Sequence, residues 1–73
     1  MGKTISQRVL ELSVKNGVFD RNVARKSFRQ YDSEELHNSV MRRARELSDA
    51  GLLSNKSRGV FVPTQRGRNA VAN

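Results

Sequence analysis

Asp32–Leu53, DSEELHNSVMRRARELSDAGLL, is the stretch whose reading decides the fold. Asp32 followed three residues later by Glu35 has the spacing of a capping box, in which the first side chain accepts the free amides of an opening turn while the second reaches back. Behind it Leu36, Val40, Ala44 and Leu47 recur at steps of four, four and three, an apolar stripe of helical period with polar residues opposite. Gly51 supplies a left-handed stop. Leu52 and Leu53 follow at once, so this helix, expected at about 33–50, should run directly into an extended segment.

Upstream, Thr4 with Gln7 makes another capping box, and Ile5, Val9 and Leu12 predict a first helix over about 5–15, ended by Asn16 and Gly17. Leu10 and Val14 form a second apolar flank on it, read either as part of a wide buried face or as a contact for a second copy or a protein partner. Val18 and Phe19 make a short extended link. Asp20 then caps a second helix over about 21–28, with Val23, Ala24 and Phe28 facing inward. Its outward side carries Arg21, Arg25 and Arg29 at four-residue steps with Lys26 beside them. Like charges so spaced cost a few tenths of a kcal/mol each, so something outside the helix should compensate them. Gln30 and Tyr31 form the turn into the third helix.

Downstream the period changes. Leu52–Asn55 and Val60–Pro63 are β-prone, and Lys56, Ser57, Arg58 and Gly59 between them carry turn chemistry, which predicts a hairpin at about 52–63 with a basic tip. Pro63 cannot donate to a ladder and closes the second strand. Residues 64–73 are expected to be a fraying tail, with Val71 docking on the body.

A chain of 73 residues is read as one domain, 1–73, with room for a single small core and not for a deep substrate cavity. Without cysteine it has neither disulfides nor thiolate metal ligands, and it fits a reducing, cytoplasmic setting. Its formal charge of +7, fourteen Lys and Arg against seven Asp and Glu, points to a polyanionic partner. No stretch approaches the roughly 20 apolar residues of a spanning helix, so no membrane role is expected. The charge is uneven: residues 1–31 hold seven bases and two acids, 32–50 three and five, 51–73 four and none. Enzyme chemistry finds no foothold. His37 is the sole histidine, with nothing to complete a metal shell, and Glu34 and Glu35 diverge by about 100° on a helix. No catalytic residue, metal or cofactor is assigned.

Helix, helix, helix, hairpin, with the junction L-x-x-x-G-L-L at Leu47–Leu53 and a closing G-V-F-V-P-T-x-x-G at Gly59–Gly67, resembles the winged helix-turn-helix family of DNA-binding domains. The resemblance implies a mainly α fold of three helices with a small β-hairpin, acting as a bacterial or phage-type transcriptional regulator on double-stranded DNA. It implies that the third helix enters the major groove, with Ser33, Asn38, Ser39 and Arg42 as candidates for base edges. Arg21, Arg25, Lys26 and Arg29 from the second helix, and Lys56 and Arg58 from the wing, become candidates for phosphate. Against this stands the third helix itself, whose Arg42 and Arg45 could pair with Glu46 and Asp49 four residues on. That self-neutralisation favours a rival, a winged-helix interaction module docking a protein. Binding to single strands or RNA is disfavoured, because Phe19, Phe28, Tyr31 and Phe61 are the only aromatics and at least two should be core.

Overall fold

The structure, a computed structural model, describes residues 4–28 and 33–72. It is mainly helical, with four helices and one two-stranded antiparallel sheet among those residues. Helix α1 spans Ile5–Asn16 and opens on the expected capping box: Gln7 N donates to Thr4 Oγ1 at 3.1 Å and Thr4 N to Gln7 Oε1 at 3.0 Å. It buries Val9, Leu10 and Ser13, and the Ser13 hydroxyl is satisfied within its own helix by donating to the Val9 carbonyl at 2.8 Å. Helix α2, Arg21–Ser27, starts where Asp20 accepts from Val23 N at 3.0 Å. It ends one residue before expectation, because Phe28 is extended (φ −109, ψ 129) while still burying its ring.

Helix α3 is Glu34–Asp49. Its cap is Ser33, whose Oγ accepts from Leu36 N over a long 3.4 Å, and not Asp32. Asp32 lies outside the described residues, as do Arg29 and the expected turn at Gln30 and Tyr31. Val40, Met41, Ala44 and Leu47 are its buried side. The far end closes as a Schellman motif: Gly51 N donates to Ser48 O at 3.0 Å and Leu52 N to Leu47 O at 2.9 Å, with Gly51 at φ 84, a value glycine reaches without steric cost. Leu52 is consumed by that cap, so strand β1 is Leu53–Ser57, one residue later than expected, and β2 is Val60–Pro63.

The turn shrinks to Arg58 and Gly59 (φ 75). Asn55 faces Phe61 and Ser57 faces Val60, which leaves Lys56 as the extra residue of a bulge. The Asn55 amide braces this tip, donating to Ser57 O at 2.8 Å and Val60 O at 3.0 Å. Phe19 adds a third rung beside Phe61 through N–H···O bonds of 2.7 and 2.9 Å, so the expected extended link is a one-residue extension of the sheet. Val9, Phe19, Ala24, Val40, Leu53 and Phe61 form the centre of the core.

The fraying tail is overturned: Gln65–Ala72 is a helix, α4. Thr64 starts it by accepting from Gly67 N at 3.1 Å, while its hydroxyl donates to Gly51 O at 2.7 Å and its backbone N–H to Leu52 O at 3.2 Å. Gly67 is buried so tightly that a methyl group there would overlap the Leu52 carbonyl oxygen. This docking bears on the two-way reading of α1. Leu10 is only 9% exposed, its methyl lying against Gly67, and half-buried Val14 packs on the core, as a wide buried face would have them.

Candidate functional site

Along one flank of α3, at the edge of the core, an open groove of about 940 Å³ runs between that helix and the hairpin. One wall is α3, contributing Asn38, Arg42, Arg45 and Asp49 from its outer surface and His37, Met41 and Ser48 lower down. The hairpin contributes Asn55, Arg58, Gly59 and Val60 opposite. Asp20, Arg21 and Asn22 at the start of α2 close the third side, brought there because Phe19 is bonded to Phe61 in the sheet. Met41 and Phe61, both nearly buried, give the groove an apolar floor.

Four arginines, Arg21, Arg42, Arg45 and Arg58, therefore line one cleft with Asn22, Asn38 and Asn55, the last with its amide held in the hairpin tip. Two acids share it, Asp20 and Asp49. Asp20 is occupied in capping α2, which leaves Asp49 as the exposed negative charge at the end of α3.

The arginines fall into two groups. Several are engaged within the protein: Arg8 lies 4.3 Å from the Phe28 ring centroid and donates to Ser27 O at 3.0 Å, and Arg43 pairs with Glu46 at 3.1 Å. Arg25 has an intramolecular partner too. Arg66 reaches over Gly51 at the end of α3, a cation beside the negative pole of a helix whose own last turn has none. The groove arginines, by contrast, make no hydrogen bond or ion pair among the described residues. The expected Arg42–Glu46 and Arg45–Asp49 pairs do not form, since Glu46 takes Arg43, three residues before it.

Of the base-edge candidates, Asn38 and Arg42 line the groove. Ser39 is exposed but lies about 100° around the helix from Asn38 and is not in the lining, and the Ser33 hydroxyl is used as the α3 cap. Of the phosphate candidates, Arg21 and Arg58 line it. Arg25 and Lys26 are exposed elsewhere on α2, Lys56 is exposed at the bulge, and Arg29 is outside the described residues. Arg45, Asn22 and Asn55 are not among the candidates read from the sequence, where Arg45 enters only as a partner for Asp49. Arg45 had a signal, because it stands three residues after Arg42 on the same side of the helix.

Among the described residues no cluster of His, Cys, Asp or Glu could hold a metal ion, and no helix is long and apolar enough to cross a membrane. Comparison with protein-family models, with curated proteins and with solved structures produced no match, so the groove is interpreted from its own chemistry.

Proposed function

We propose that this protein is a winged helix-turn-helix domain that binds duplex DNA, as a small transcriptional regulator would. The observation that carries this reading is that Arg21, Arg42, Arg45 and Arg58, without a partner among the described residues, line the one α3–hairpin groove. Arginine presents a planar fork that fits phosphate oxygens or the O6 and N7 of guanine in two places at once, and asparagine can do the same for adenine. The hairpin would be the wing, with Lys56 on its bulge adding a further phosphate contact. The longest dimension of the body, 32 Å, is close to one turn of B-form DNA, about 34 Å, so one copy would cover a single short site.

The test is a gel-shift or anisotropy titration of a duplex over a salt series. With about five cations on phosphates, log affinity should fall against log salt with a slope near −4.5, at about 0.9 per neutralised phosphate. A flat response would refute the reading. The rival, a winged-helix module docking a protein, draws on Asp49 in the groove and on the exposed Glu34 and Glu35 in the first turn of α3. It predicts no duplex shift at any salt.

A further inference from the structure

We infer that α3 meets its nucleic acid with one flank only, the side turned to the hairpin, and that Arg45 is a further residue reading base edges there; this rests on the DNA-binding reading above. Around the helix axis Asn38, Arg42, Arg45 and Asp49 follow one another at four, three and four residues and so share a single strip, the strip that lines the groove. The other exposed flank holds Ser39, Arg43 and Glu46, of which none lines the groove. It offers no unengaged cation, because Arg43 is paired with Glu46.

A helix seated squarely in a major groove has phosphates of both strands beside it, one row along each flank. On this chain such a seat would turn the already paired Arg43 and Glu46 toward one row, with no unengaged cation to meet it. Tilting toward the hairpin turns the groove arginines to the phosphates instead. It also places Asn38, Arg42 and Arg45, spaced about 6 and 4.5 Å along the axis, over successive base edges, while Arg58 and Arg21 approach phosphate from the facing walls.

Arg43 and Arg45 make a matched pair for the test. They are the same residue on the same helix, two positions apart, and their side chains leave the axis about 200° from one another. Replacing either with alanine removes the same charge. Titrations of Arg43→Ala, Arg45→Ala and Arg21→Ala are run near 0.15 M salt, where the Debye length of about 8 Å suppresses long-range effects. The probe is a short duplex with a randomised centre, sequenced after selection, and circular dichroism confirms that each variant is folded.

Arg45→Ala should weaken binding to the selected sequence by about tenfold, within the range for one base-edge contact, and change the selected sequence. Arg21→Ala should weaken binding to all sequences alike, and Arg43→Ala should stay within twofold of wild type. Equal losses for Arg43→Ala and Arg45→Ala would overturn the one-flank reading while leaving DNA binding in place. A wild-type protein that binds no duplex would remove both.

Discussion

Replacing Gly67 by alanine sets two effects of known size against each other. In the first turn of a helix the change favours folding by at most about 0.8–1.0 kcal/mol, the interior value, because alanine loses less backbone entropy. The new methyl group would overlap the Leu52 carbonyl oxygen, and would stand 3.1 Å from its carbon and 3.3 Å from Leu10 Cδ1. The obstacle is backbone pinned by the α3 terminal cap, so α4 has to yield. Its retreat would break the Thr64 hydroxyl bond to Gly51 O and the Thr64 N–H bond to Leu52 O, each worth about 1 kcal/mol net, and open the Leu10 contact, with overpacking costing about 1–3 kcal/mol in such sites. The two bonds alone, about 2 kcal/mol against about 1 gained, make the balance a loss of at least about 1 kcal/mol. In a domain this small each kcal/mol moves the melting temperature by about 4–8 °C, so Gly67→Ala should melt at least 4 °C lower in a calorimetric or circular-dichroism scan. Ala70→Gly, at an exposed position of the same helix, isolates the propensity contribution. If Gly67→Ala melted at or above the wild-type temperature, the close docking of α4 would be wrong.

Two further outcomes are expected. Arg8→Met keeps the aliphatic stem but loses the bond to Ser27 O and the contact with the Phe28 face, so urea midpoints should fall by an amount equivalent to about 1–1.5 kcal/mol with an unchanged m-value. A midpoint equal to wild type would mean Arg8 does not hold the end of α2. Asp49→Asn removes the exposed carboxylate from the groove; a unit charge about 6 Å from a phosphate in water-like dielectric is worth about 0.7 kcal/mol, so duplex affinity should rise about threefold at low salt and converge with wild type at high salt. Unchanged affinity at low salt would place the nucleic acid away from the C-terminal end of α3.

The parts of this fold legible in the sequence are those set by neighbours along the chain. Thr4, Asp20 and Gly51 act through bonds to residues three to five positions away, and the Leu36–Leu47 stripe needs only helical geometry to declare a face. Where two cap-forming residues stand side by side, as Asp32 and Ser33 do, local rules admit either, which is why α3 begins one residue later than expected. Helix α4 escaped notice for a different reason. QRGRNAVA has a glycine in its middle and little apolar surface, and its docking depends on Leu52 and Gly51, which lie in the α3 cap. A signal is present in Thr64 standing three residues before Gly67, a cap spacing set against the low helix propensity of glycine. In the groove, Asn38 and Arg42 follow from being outward on α3, whereas the exclusion of Ser39 needs the hairpin to lie along one flank, a fact of tertiary structure alone.

The arrangement of partners on α3 bears on why the groove arginines are idle. Glu46 is within helical reach of both Arg42 and Arg43, and Asp49 is four residues beyond Arg45, so this helix has the means to neutralise its groove side. It does not use them: Glu46 takes the arginine on the far flank, and Asp49 makes no pair with Arg45. For stability alone this is the poorer choice, since an i, i+4 Arg–Glu pair is worth about as much as the i, i+3 pair formed and would also relieve repulsion among Arg42, Arg45 and Arg58. The difference is a few tenths of a kcal/mol, small enough for a fold to tolerate and large enough to need compensation when four such charges share a cleft. A bound row of phosphates would supply it. By this reasoning Arg42→Gln should leave the free protein as stable as wild type or slightly more so while weakening its complex, and a clear loss of stability in the free protein would assign Arg42 to the fold.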